Sequence, residues 1–151
     1  MSFFLPVELS NKSEYALLAL LELAKSYPSG ESLQIRQIAE LQNIPNRYLD
    51  QLLAMLRRGG LIKSIRGAKG GYVLAREPEK ITLFDALDCI EGLNAGCGDE
   101  KDSNKTIESA VIDEIWQEAL GAANSVLQNY TLKDLCERRA SRRQMELMYY
   151  I

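Results

Sequence analysis

Apolar residues recur every three or four positions along several stretches of this chain, the spacing that places side chains on one face of an α-helix. The first stretch follows Ser10, a favourable N-cap, and ends near Ser26, where proline and glycine interrupt the pattern. A second, shorter helix fits Ser32 to Gln42, where isoleucine, alanine and leucine form a stripe. The chain is therefore expected to begin with two amphipathic helices.

A third helix follows the second after a very short connection at residues 43–44. Pro45 suits its first turn, because a missing N–H has no helical partner there, and Gly59 and Gly60 end it. Two β-compatible runs, Leu61 to Ile65 and Tyr72 to Leu74, come next and are separated by a glycine-rich basic turn. Two helices joined by a tight turn and followed by a hairpin predict a winged helix-turn-helix.

The middle of the chain returns to helical spacing. Ile81 to Glu91 fits a helix with Thr82 as its N-cap, and the small, polar residues 92–106 predict a loop. A long helix is predicted from Ile107 to Leu127, and its alanine-rich apolar stripe suits packing against a second copy of itself. The stripe consists of Ile107, Val111, Ile115, Ala119, Ala122 and Val126.

The C-terminal segment adds one short helix and a basic tail. Thr131 and Asp134 open this helix, which is expected to run through Cys136, and residues 137–143 are strongly basic. The whole chain is therefore expected to be mainly α with a small β-hairpin wing. Its three parts are a winged helix-turn-helix DNA-binding domain (1–80), a connecting helix and sensory loop (81–106), and a dimerisation helix with a C-terminal helix (107–151).

Composition narrows the class of protein. The 151 residues, 46% hydrophobic and 26% charged, are ordinary for a globular protein, and the longest apolar stretch, Tyr15 to Leu21, is too short to cross a bilayer. We therefore expect a cytoplasmic protein without a membrane segment. The chain has no histidine, which removes the usual general base and the commonest zinc ligand and argues against an enzyme.

Charge is distributed unevenly along the chain. The net charge is -3, but residues 1–80 carry 11 Lys/Arg against 8 Asp/Glu, whereas residues 81–151 carry 7 against 13. Between Gln51 and Arg76 lie six basic residues and no acidic one. A DNA backbone would meet this local patch rather than the net charge, so the patch favours nucleic acid as a partner.

The second helix of a helix-turn-helix enters the major groove by its N-terminal residues, because base edges lie at groove depth. Asn46, Arg47 and Asp50 occupy those positions; an arginine can donate to guanine, and a carboxylate can accept from a cytosine amino group. In the wing, Arg66 and Lys69 flank glycines that let the backbone approach a phosphate or the minor groove. The remaining cations suit phosphate contacts that set the register on DNA: Arg57, Arg58 and Lys63.

Each of these features also has a purely structural interpretation. Exposed charge on a small domain is usually only solvated, and the wing glycines could serve the hairpin turn alone. Tyr15, Tyr48 and Tyr72 are expected to pack in the core or at hinges rather than to stack on bases. A winged helix can also act as a protein-interaction module without DNA, and the salt dependence of nucleic-acid binding separates these functions.

Several segments resemble the IscR-like (Rrf-type) family of winged-helix transcriptional regulators. The likeness is most specific in the wing, from Ser64 to Ala75 (SIRGAKGGYVLA), and extends to Ile44–Leu53 and Leu56–Ile62. The resemblance covers nearly the whole chain, and it implies a homodimer, joined through the long helix, on a pseudo-palindromic double-stranded DNA operator. It places base contacts on three residues: Arg47, Asp50 and Arg66.

Many members of this family hold a 2Fe-2S or 4Fe-4S cluster through three cysteines in the loop before the long helix, so the resemblance implies an iron-sulfur or redox sensor, with 2Fe-2S favoured. This chain departs from that pattern, because the loop contains only Cys97 and one thiolate does not complete a site. Cys89 and Cys136 could add metal ligands across a dimer, but the favoured interpretation of both is a small buried hydrophobe. Two hypotheses stay open: sensing through Cys97, or a cofactor-free regulator that senses a metabolite or a partner protein.

Overall fold

A computed structural model describes residues 9–92 and 106–149 of the chain. The helices and the hairpin follow one another in the predicted order, with a short 3-10 helix at Tyr27–Ser29 and another at Pro78–Lys80. The main elements are α1 (Asn11–Ser26), α2 (Ile35–Gln42), α3 (Asn46–Arg58), β1 (Ile62–Ile65), β2 (Gly71–Leu74), α4 (Leu83–Glu91), α5 (Ile107–Asn129) and α6 (Leu132–Tyr149). The prediction of a mainly α fold with a β-hairpin wing is confirmed.

The helix starts follow from local side-chain chemistry. The Ser10 hydroxyl accepts from the Ser13 backbone N–H at 3.2 Å and caps α1. Thr82 and Asp85 form a reciprocal capping box at the start of α4, where each side chain bonds the backbone N–H of the other residue at 3.1 Å. Both N-caps match the sequence expectation.

A single core is built around α1, which packs against α2, α3, α4, β2 and α6. Leu20 of α1 and the α3 leucines Leu49, Leu53 and Leu56 are fully buried. Burial of one such side chain stabilises the fold by about 1.5–3 kcal/mol. Because the leucines of α3 pack into this core, the opposite face of α3 is exposed to solvent and its orientation is fixed.

Three element boundaries differ from the sequence expectation. Helix α2 begins at Ile35 rather than Ser32, because Leu33 is extended and pairs with Tyr72 of β2. Pro45 precedes α3 as its N-cap instead of lying in the first turn. Helix α6 continues to Tyr149, well beyond Cys136, because the long charged side chains of its basic segment are good helix formers.

The long helix α5 lies on the outside of the body. It packs on α4, yet none of its 23 residues is buried. Within residues 9–92 and 106–149, no helix is long and apolar enough to cross a membrane.

Candidate nucleic-acid interface

The turn between α2 and α3 has a defined geometry. Asn43 ends α2 in the left-handed region (φ 53°, ψ 49°), a conformation that asparagine tolerates better than most residues. Ile44 is buried, and its backbone N–H donates to the Ala39 carbonyl at 3.0 Å. Pro45 then adopts an extended backbone and starts α3. This short turn fixes the angle between the two helices of a helix-turn-helix.

Helix α3 has one buried and one outward face. Arg47, Gln51 and Arg58 follow one another at steps of four and seven residues, which places them on the side opposite the buried leucines. All three side chains are exposed. The outward face of α3 therefore carries two guanidinium groups with a side-chain amide between them.

The other predicted contact residues of α3 lie beside this stripe. Asn46, Asp50 and Arg57 are exposed on one flank of the helix. Within the described part of the chain, neither Arg47 nor Arg57 forms an ion pair. The guanidinium groups are therefore available to an external anion.

The wing is the antiparallel hairpin β1–β2, with Lys63 opposite Val73 and Ile65 opposite Gly71. Its tip spans residues 66–70, where the Gly70 N–H donates to the Gly67 carbonyl at 2.9 Å and Gly67 has a φ of 120°. Only glycine adopts such a φ without strain. The wing cations are all exposed: Lys63 on β1, and Arg66 and Lys69 at the tip.

Backbone contacts hold the wing against the body. Leu33 and Tyr72 exchange two hydrogen bonds, at 3.0 and 2.7 Å, and the Ser32 hydroxyl donates to the Lys69 carbonyl at 2.6 Å. A Cβ on Gly71 would lie 2.5 Å from the Leu33 carbonyl oxygen, so the two backbones meet where no side chain fits. The structure thus brings the wing tip beside the residues that precede α2.

The exposed positions of two residues of α3 were not predicted from the sequence. Gln51 lies on the outward stripe, and its position four residues after Arg47 was the signal that could have identified it. Tyr48 was expected in the core or at a hinge, but it is 51% exposed because it lies on the second flank of α3. Tyr15 and Tyr72 pack against the core as expected.

The two described cysteines, Cys89 and Cys136, are half-buried rather than fully buried as the sequence led us to expect. Cys89 lies on α4 beneath Gly59, and burial followed by the nearby Asp88 and Asp85 carboxylates raises the pKa of its thiol. Burial likewise raises the pKa of the Cys136 thiol on α6, although the Arg139 guanidinium opposes this in part. Cys97, the third candidate ligand, lies outside the described residues.

These two thiols do not by themselves complete an iron-sulfur site. A cluster is usually held by four thiolates at one place, and Cys89 and Cys136 supply at most two per chain. Within residues 9–92 and 106–149, no group of three or more cysteine, aspartate or glutamate residues could hold a metal ion.

A helix-turn-helix with exposed cations on its second helix, and a basic hairpin pinned beside it, defines a winged-helix DNA-binding protein. The Rrf2 family, described as iron-dependent transcriptional regulators, matches residues 9–138 of this chain. The chain belongs to that family. Its relatives are named as transcriptional regulators, not enzymes.

Two curated relatives illustrate the similarity. The chain is 35% identical over 143 residues to the transcriptional regulator CymR of Bacillus subtilis (strain 168), covering 95% of this chain and 99% of CymR. It is 32% identical over 116 residues to the transcriptional regulator IscR of Cereibacter sphaeroides, covering 74% and 75% of the two chains.

Solved structures agree with this assignment. The structure of T. potens IscR superposes with a TM-score of 0.75 at 34% identity and covers 88% of each chain. The structure of CymR, called the global cysteine regulator of B. subtilis, gives a TM-score of 0.74 at 34% identity and covers 88% of this chain and 98% of that one.

Proposed function

We propose that this protein is a homodimeric, sequence-specific transcriptional regulator that acts in the cytoplasm and reads DNA with the outward face of α3 and the wing tip. The observation that supports this most directly is the stripe of Arg47, Gln51 and Arg58 opposite the buried face of α3. A rigid helix with unpaired guanidinium groups on one side fits the major groove.

The residues near the start of α3 are proposed as base readers. Arg47 suits the O6 and N7 acceptors of guanine, and Asp50 suits the N4 donor of cytosine. Gln51 extends the set, because a glutamine amide can bond N6 and N7 of adenine at once. Asn46, in the first turn, is proposed to contact a base edge or the adjacent backbone.

The wing and the remaining cations are proposed to hold the phosphate backbone. Arg66 at the tip suits insertion into a narrow minor groove, where the negative potential is strongest. Four further cations surround α3 and the hairpin and suit phosphate contacts: Arg57, Arg58, Lys63 and Lys69.

The DNA surface can be tested with a duplex selected from a random library by the wild-type protein. Arg47→Ala and Arg66→Ala should each weaken binding by about 1–3 kcal/mol, roughly 5- to 150-fold, and relax base preference. Lys69→Ala should weaken binding to all sequences alike and reduce the salt slope by about 1. Arg142→Ala, an exposed cation on α6, is the matched control and should bind normally.

Unchanged affinity of the folded Arg47→Ala and Arg66→Ala proteins would show that the surface is misassigned. Failure of the wild-type protein to enrich any duplex, or only weak binding that does not change with salt, would favour the alternative of a winged-helix protein-interaction module without DNA.

The exposed apolar stripe of α5 supports the homodimer. Val111, Ile112 and Ile115 are 47%, 67% and 64% exposed, which is unusual for large aliphatic residues on one helix face. Pairing of this face with the same face of a second copy would bury them around a two-fold axis. A dimer would also present two copies of α3 to the two halves of a pseudo-palindromic operator.

We do not propose a complete cluster site among the described residues, so two ways of sensing the regulatory signal stay open. Cys97 stays the candidate for redox or iron-sulfur sensing. The described residues bring no group of three metal-binding side chains together, which favours a cofactor-free regulator that senses a metabolite or a partner protein. Iron content and visible absorption of the anaerobically purified protein distinguish the two. Stoichiometric iron with a thiolate-to-iron band that Cys97→Ser abolishes would select the cluster.

A further inference from the structure

A cavity of about 720 Å³ lies where the end of α1 and the two 3-10 helices meet α6. Its wall is largely apolar and includes Ala24, Tyr27, Pro28, Pro78 and Ala140. Small-molecule pockets in proteins span roughly 300–1,000 Å³ and have such walls with a few placed polar groups. None of the proposed DNA contacts lines this cavity, so it is distinct from the interface described above.

The charged groups of the cavity leave a positive excess. Its four cations are Lys25, Lys133, Arg139 and Arg143. Its two carboxylates already have lysine partners, Glu79 with Lys133 at 3.7 Å and Glu77 with Lys80 at 3.8 Å. Within the part of the chain that the structure describes, Lys25 and Arg143 form no ion pair. An apolar wall with unpaired cations complements an organic anion.

One of these cations connects the cavity to the helix-turn-helix. Arg139 Nη1 donates to Glu22 Oε1 at 2.8 Å, and this carboxylate is almost completely buried in α1. The Gln42 side-chain amide donates to the same oxygen. Because Gln42 is the last residue of α2, the network runs from the cavity wall to the turn that sets the angle of α3.

We propose that this cavity is an effector site for a small organic carboxylate with an apolar body. Such an anion would bind Arg143 and the N–H groups of Arg139 that do not bond Glu22. Any shift of Arg139 alters its bond to Glu22 and, through Gln42, the end of α2. Carboxylate binding and DNA binding are thereby coupled. The coupling rests on the proposed function in DNA binding, whereas carboxylate binding in the cavity does not.

Binding is tested on the full-length protein, labelled with ¹⁵N and titrated by NMR with benzoate and with its neutral counterpart, benzyl alcohol. Benzoate is expected to shift the amides around the cavity with a Kd on the order of 1 mM. Benzyl alcohol should bind at least about fivefold more weakly, because it lacks the charge that pairs with the cations. Equal binding of the two compounds, or benzoate shifts that avoid the cavity, would overturn the proposal.

Two neighbouring substitutions on α6 locate the site without disturbing the buried Glu22. Ala140→Leu adds bulk to the cavity wall and should weaken benzoate binding at least about tenfold. Ser141→Leu adds comparable bulk at the next position, which does not line this cavity, and should leave binding unchanged. Equal binding by both variants would place benzoate elsewhere.

The coupling has its own readout. Saturating benzoate should change the DNA affinity of the wild-type protein by at least about threefold, and Gln42→Leu should remove that response while retaining benzoate binding. An unaltered response in Gln42→Leu would refute the route through Gln42. Failure of the wild-type protein to bind any selected duplex would refute the regulatory function, whereas benzoate binding in the cavity would stand by itself.

Discussion

The contact between Gly59 and Cys89 allows a sharp test of how α3 is held. Gly59 follows α3 with ordinary right-handed backbone angles (φ -77°, ψ -3°), so alanine there meets no backbone strain. A Cβ at this position, however, would lie 2.1 Å from the Cys89 sulfur. The two atoms must move apart by about 0.9 Å before they reach 3.0 Å, a separation below which real Cβ contacts essentially never occur.

The sign of the effect of Gly59→Ala should therefore depend on residue 89. Overpacking costs about 1–3 kcal/mol, and the lower part of this range applies because the Cys89 sulfur ends a half-buried side chain that can rotate. Glycine to alanine at a compatible backbone position instead stabilises by about 0.4–1 kcal/mol. We expect a net loss of about 1 kcal/mol in the native background, a decrease in Tm of roughly 2–4 °C. In a Cys89→Ala background, Gly59→Ala should stabilise.

Thermal and urea unfolding of the four proteins in this cycle, at one fixed protein concentration, measure the coupling. Gly60→Ala is the matched control. It has no neighbour within 4 Å but a φ of +78°, so its cost of about 1–2 kcal/mol should be the same in the native and the Cys89→Ala backgrounds. A Gly59→Ala penalty that is equally independent of residue 89 would refute the contact.

Three further predictions concern the wing, the dimer and the thiols. Gly71→Ala should loosen the wing and weaken DNA binding, since its Cβ would meet the Leu33 carbonyl; hydrogen exchange at Tyr72 measures this, and unchanged protection would contradict it. If the proposed dimer forms through α5, Ile115→Glu should convert it to monomer in analytical ultracentrifugation, whereas Gln117→Glu on the polar side of α5 should not. In the Cys97→Ser protein, the raised pKa of the two remaining thiols should make their alkylation at pH 8 slower than that of free cysteine. The reaction should become fast only at higher pH, whereas the urea-unfolded protein should react at the ordinary rate.

Much of the fold was predictable because its signals are local. The spacing of apolar residues, the caps at Ser10 and Thr82 and the glycine-rich turn each act within a few residues, and the elements that they predict are present. The acid-free segment from Gln51 to Arg76 likewise located the candidate DNA surface without knowledge of the fold. The start of α2 was misplaced because the partner of Leu33 lies about forty residues away on β2.

The sequence by itself determined the helix-turn-helix and the basic wing, since short-range periodicity and local composition encode them, and the resemblance of its motifs to the Rrf-type family indicated the class of regulator. Only the tertiary structure decided that Tyr48 faces solvent. It alone joined Glu22, Gln42 and Arg139 beside a cavity, the first and last of these being 117 positions apart in the chain. The physical reason is that side-chain partners of this kind meet through the packing of whole helices on one core, which no local pattern specifies.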